Sequence, residues 1–156
     1  MKKIFALSFL VFFLEAAIFP MPVYPLEGFR GERWGQNLAS MSAMKFVNEL
    51  DGLRYYIKMN DEMSLGNAAI HEIRYAFESD RLVGVTLSTK GQENARLVLG
   101  VLETAYGTPS KRDGNNFYWS FGDSALFYSY NPHSRRLSVA NLSRQAIGHV
   151  PLVRYW

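Results

Sequence analysis

Few residues in this chain have types and spacings that could do chemistry. The three histidines, His71, His133 and His149, form no i, i+4 pair and have no carboxylate at metal-ligand spacing, so no local metal signature exists. There is no cysteine, which removes thiol catalysis, thiolate zinc sites, disulfides and lipid attachment to an N-terminal cysteine. A nucleophile elbow, a phosphate-cradling glycine loop and a dinucleotide fingerprint are also missing. The carboxylates Glu72, Glu78 and Asp80 fall on the polar side of one expected strand and its turn. Alternating Glu-Arg-Glu there is what a solvated sheet face requires; a carboxylate pair for hydrolysis is the competing reading. The expectation is therefore no catalytic residue, no metal ligand and no cofactor.

Aromatic side chains offer more. Phe 11, Tyr 9 and Trp 3 make 15% of the chain, which favours strands, because flat rings pack well on a pleated surface. Phe117, Tyr118, Trp119, Phe121, Phe127, Tyr128 and Tyr130 put rings on both faces of two adjacent strands. One face is core. On the other, Tyr118 and Phe127, with Arg135 and Arg136 nearby, form the candidate binding platform for a peptide, a glycan or a lipid headgroup; the alternative is that a helix or the other half of the chain covers them. Trp34, flanked by Gly35, reads as a packing anchor.

Leu38, Met41, Met44, Phe46, Val47 and Leu50 recur at mostly three- and four-residue spacing and predict a helix over Asn37 to Leu50, stopped by Asp51-Gly52. Leu53, Tyr55, Ile57 and Met59 alternate with polar residues as a strand does. Residues 72 to 88 read as a hairpin turning at Ser79-Asp80-Arg81, its register set by alternation. A second helix runs from Gln92 to Tyr106 with Ala95, Val98, Val101, Leu102 and Ala105 as its apolar stripe, ended by Gly107 and Pro109. Three further strands around Phe117–Phe121, Leu126–Tyr130 and Leu137–Asn141 form a meander.

An internal duplication is suggested. Ile73 to Phe77, a turn, and Arg81 to Val85 are similar to Leu126 to Tyr130, a turn, and Arg136 to Ala140, at offsets of 53 to 55, and Gly35-Gln36 matches Gly91-Gln92 at 56. The fold class expected is α+β: two tandem helix-then-antiparallel-strands units, 29–90 and 91–144, with helices packed on antiparallel sheet. Tyr106-Gly107-Thr108-Pro109, a loop, Tyr118-Trp119-Ser120-Phe121 and Leu137-Ser138-Val139 together resemble the SmpA/OmlA (BamE-like) domains, which are similar in fold to the repeat of the β-lactamase inhibitor protein. The resemblance implies an exported α+β domain with paired helices on an antiparallel sheet. This chain departs from those domains in lacking a lipobox cysteine and in carrying two copies, so their role in outer-membrane assembly is not carried over.

The ends bear on compartment. Lys2-Lys3 and the apolar run Ile4 to Leu14 have the form of a secretory signal peptide, taken as 1–19, followed by a Pro-rich arm, 20–28. An uncleaved inner-membrane tether is the alternative, although Ile4 to Phe19 is shorter than the roughly 20 apolar residues of a span. Without Lys2, Lys3 and Glu15 the formal charge falls from +3 to +2, and no Lys/Arg run exceeds two residues, so nucleic acid is not an expected partner. The tail 145–156, with Ile147, Val150, Leu152, Val153, Tyr155 and Trp156, docks on the domain or on a partner. These features imply a periplasmic or secreted binding domain with a protein or envelope component as partner; a small envelope hydrolase working between the two units and an inhibitor-like structural module are the rivals.

Overall fold

The structure, a computed structural model, describes residues 27–143. The signal peptide, most of the Pro-rich arm and the apolar tail lie outside the described residues. The chain forms strands β1 (Met44–Leu50), β2 (Leu53–Lys58), β3 (Glu72–Glu78) and β4 (Arg81–Lys90), then helix α1 (Gln92–Tyr106), then β5 (Lys111–Asp113), β6 (Asn116–Ser120), β7 (Ser124–Asn131) and β8 (Arg136–Ser143). All eight strands join one antiparallel sheet in the order β1-β2-β3-β4-β8-β7-β6-β5. Two four-stranded meanders thus meet where β4 pairs with β8, Leu87 opposite Val139, and α1 carries the chain from one to the other.

Turn chemistry explains the short connections. Asp51 and Gly52 between β1 and β2 have φ of +52° and +80°, and Ser79 and Asp80 between β3 and β4 have +48° and +60°. Two successive positive φ values give a turn whose twist matches that of the flanking strands. Gly107 ends α1 at φ +74°, a conformation that favours glycine, and its N–H donates to the Glu103 carbonyl.

Alternation then sorts side chains between two faces. On one, Ile73, Tyr75, Phe77, Val85, Leu87, Trp119, Leu126 and Tyr128 meet Ala95, Val98 and Leu102 of α1, with Trp34 and Leu38 packed at the margin. On the other, Leu53, Tyr55, Ala76, Val83, Ala125, Phe127, Ala140 and Leu142 form a second buried cluster. A β-bulge between Ala76 and Phe77 in the β3–β4 ladder lets Val83 and Val85, two residues apart, serve opposite clusters.

The expected two tandem helix-then-strands units are not what forms. One continuous sheet replaces two, and α1 is the one α-helix among the described residues. The stretch read as a first helix, Asn37 to Leu50, is instead a 3-10 turn at Leu38–Ser40 followed by β1. The Asn37 side chain accepts from Ala39 N–H at 2.9 Å, capping a single turn. Ala43 at φ +60° then bars helix continuation, since an L-residue there leaves right-handed helical space. The Asp51-Gly52 turn folds Met44–Leu50 back onto β2, and the ladder outweighs helical spacing. The paired helices implied by the SmpA/OmlA resemblance are accordingly replaced by one helix and an edge strand. The strands whose sequences look alike do occupy matching places: β3 and β7 flank the central pair β4 and β8.

Candidate interaction surface

The platform residues separate into two groups. Tyr118 and Phe127 are cross-strand partners in the β6–β7 ladder, with ring centroids 4.9 Å apart. Phe127 is only 3% exposed and belongs to the second core cluster, against which Tyr118 is half-buried. Arg135 is exposed in the β7–β8 turn at φ +52°, where its carbonyl accepts from Gly91 N–H at 2.8 Å beside the start of α1. Arg136 stands opposite Asn131 and Lys90. Phe127 and Asn131 lie four positions apart on β7, about 13 Å of strand, so the backbone of both arginines lies beside the helix start and not the aromatic pair.

The polar side chains that chemistry would need are already engaged. Glu72 pairs with Arg74 at 2.9 Å and Asp80 pairs with Arg54. The region between the two meanders is a backbone ladder flanked by Val85, Leu87 and Ala140. His71 and His133 are exposed, and His149 lies outside the described residues. Among the described residues no three of His, Asp and Glu are grouped to hold a metal ion. A polar cluster surrounds Asp61: Tyr75 Oη donates to Oδ2 at 2.6 Å and Arg30 Nη1 to Oδ1 at 2.9 Å. Arg30 also donates to the carbonyls of Glu62 and Ser64 and lies over the Phe29 ring. Burial, reinforced by the bond to Asp61, pushes the Tyr75 phenol well above its usual range. This arrangement fastens the loop after β2 to the short antiparallel pair Gly28–Phe29 and Glu32–Arg33, through Arg30 in the turn between them.

The two edges of the sheet are unlike each other. Edge β5 is three residues, Lys111-Arg112-Asp113, all exposed; a short charged edge is what proteins use to prevent unwanted strand pairing. Edge β1 is seven residues long and leaves Phe46 52%, Leu50 46% and Val47 38% exposed. Met59 and Met63, just beyond β2, are the other exposed large apolar side chains among the described residues, so all five fall within residues 46–63. An aromatic ladder leads outward from the core to this edge: Phe77 is fully buried, Tyr56 meets it edge-to-face at 5.3 Å, and Phe46 meets Tyr56 at 5.5 Å. Among the described residues, no ring other than Tyr56 lies against Phe46. Sequence reasoning missed this surface because it placed Phe46, Val47 and Leu50 on a helix. The signal that could have found it is Asp51-Gly52 between two apolar runs, a hairpin dipeptide.

No helix among the described residues is long and apolar enough to cross a membrane. No protein-family model, no curated protein and no solved structure matches the chain, so no family is assigned to it on that basis.

Proposed function

We propose that this chain is an exported, non-catalytic binding module that engages a protein partner along edge β1. The observation carrying this reading is the asymmetry of the edges: one is short and charged, the other long, with Phe46, Val47 and Leu50 exposed along it and Met59, also exposed, bonded to Ala43 just before its start. Clustered exposed apolar side chains mark interaction sites more often than they occur by accident, and an open strand edge offers backbone N–H and C=O groups to an incoming strand. Export is supported by Lys2-Lys3 and the apolar run after them. The partner is then a protein or a component of the cell envelope.

Photo-crosslinking in the living cell tests this. A benzoylphenylalanine placed at Val47 is expected to trap a discrete partner, whereas the same group at Arg112 on edge β5 is not. Trapping at both positions equally, or at Arg112 alone, would overturn the assignment of the surface.

A further inference from the structure

We infer that the occupant of edge β1 is an extended, antiparallel segment of another protein, carrying a basic residue, any residue, an aromatic residue and an acidic residue in succession. The inference rests on β1 being the binding edge, as proposed above, and adds what the edge selects.

Lys45 and Glu49 are both exposed on β1, and the ion pairs among the described residues leave both out. Between them stands Phe46, open on its outer side. The strand already paired with β1 indicates how a neighbour reads it. In β2, Arg54 lies opposite Glu49, Tyr55 opposite Asn48, Tyr56 opposite Phe46 and Ile57 opposite Lys45, with a bulge between Phe46 and Asn48. A strand added to the outer side in the same sense meets the same order. Glu49 favours a cation, Phe46 an aromatic ring that extends the Phe77–Tyr56–Phe46 ladder, and Lys45 an anion.

The bulge decides between a foreign strand and a second copy of this chain. Cross-strand partners project from the same face. Ile57 and Arg54 are three residues apart on β2 and so point to opposite faces, and their partners Lys45 and Glu49 do likewise. Two copies of β1 pairing about Val47 would bring Lys45 level with Glu49 of the second copy but on the wrong face, with no ion pair formed. A regular, unbulged strand alternates correctly: the residues facing Glu49 and Phe46 lie two apart on one face, and the one facing Lys45 lies on the other. The bulge, a device that discourages edge-to-edge self-association, here leaves the edge open to a different sequence.

The test uses two ten-residue peptides with the cores Arg-Thr-Phe-Glu and Glu-Thr-Phe-Arg, titrated into the isotope-labelled full chain and followed by backbone amide shifts. The first peptide is expected to move amides of residues 44–50 and to bind about tenfold more tightly than the second, the size of two matched against two mismatched charge pairs. In the double variant Lys45→Glu, Glu49→Lys, both sites being exposed, the order of preference reverses while shifts outside β1 stay in place. Equal affinity for the two peptides, absence of shifts at 44–50 at millimolar peptide, or a wild-type dimer formed through β1 in sedimentation would each overturn the inference. Crosslinking at Val47 that persists unchanged in the charge-swapped variant would leave the edge assignment standing and defeat the selectivity alone.

Discussion

Tyr75 and Asp61 are joined by a 2.6 Å hydrogen bond from the phenol to Oδ2, made where Tyr75 is 1% exposed. Among the described residues Asp61 has one other side-chain partner, Arg30 at 2.9 Å. Removing the phenol leaves a nearly buried carboxylate oxygen without its donor, which costs about 1–3 kcal/mol. Tyr75→Phe is therefore expected to lower unfolding free energy by that amount in urea titration. A change below about 0.5 kcal/mol would mean that the loop after β2 is not held by this bond.

Tyr128 gives a pH dependence of definite sign. Its phenol donates to the Ala95 carbonyl of α1 at 3.1 Å, and burial, with Tyr130 nearby, pushes its pKa up to about 12. The unfolded value is about 10. The folded state thus favours the neutral phenol: this contribution is complete below pH 10 and is lost as pH rises from there towards 12. Stability measured between pH 9 and pH 11.5 is expected to fall more steeply in the wild type than in Tyr128→Phe. Parallel curves would contradict the burial of this phenol.

Trp119 fastens the end of α1 to the sheet. It is 1% exposed and its Nε1–H donates to the Gly107 carbonyl at 2.9 Å. Trp119→Ala removes both the packing and the bond, and a cost of about 3–5 kcal/mol is expected. Trp119→Phe keeps most of the apolar volume and is expected to cost less than half as much. Thermal denaturation followed by circular dichroism distinguishes the two.

The aromatic ladder separates stability from binding. Phe77 is fully buried and Phe46 is 52% exposed, so Phe77→Ala is expected to cost about 3–5 kcal/mol and Phe46→Ala no more than about 1 kcal/mol. The same Phe46→Ala variant should lose partner crosslinking at Val47. A large stability loss at Phe46 would mean that the ring serves the fold and not a partner.

How much of this could be read from the sequence depended on whether the local signal and the tertiary contacts agreed. The bounds of helix α1 were legible to the residue, because Gly91 and Gly107 mark its ends; of the expected stripe Ala95, Val98 and Leu102 are buried, while Val101 is partly exposed and Ala105 exposed. The 72–88 hairpin was legible because Ser79-Asp80 and alternation point the same way, but alternation puts Val83 on the side of Val85 and Leu87, and the bulge turns it to the other. Residues 37–50 were misread because Leu38, Met41, Met44, Val47 and Leu50 satisfy helical spacing while the deciding features, Ala43 at φ +60° and the ladder to β2, are tertiary. Strand β5 escaped notice because Lys111-Arg112-Asp113 has no apolar residue to alternate. In the candidate platform, alternation put Tyr118 and Phe127 on one face of adjacent strands; that they stand directly opposite each other is given by the ladder. The burial of Phe127 and the distance of Arg135 depend on how the sheet packs, which no short-range pattern carries.

Among the described residues Met44–Leu50 is an edge strand paired on one side only, and nuclear Overhauser spectroscopy of the full chain tests this most directly. Expected are contacts between the rings of Phe46 and Tyr56 and between Asn48 and Tyr55, with only those amides of residues 44–50 that face β2 protected from hydrogen exchange. Consecutive amide–amide contacts running through 37–50, as in a helix, or protection of every amide from 44 to 50, would contradict it.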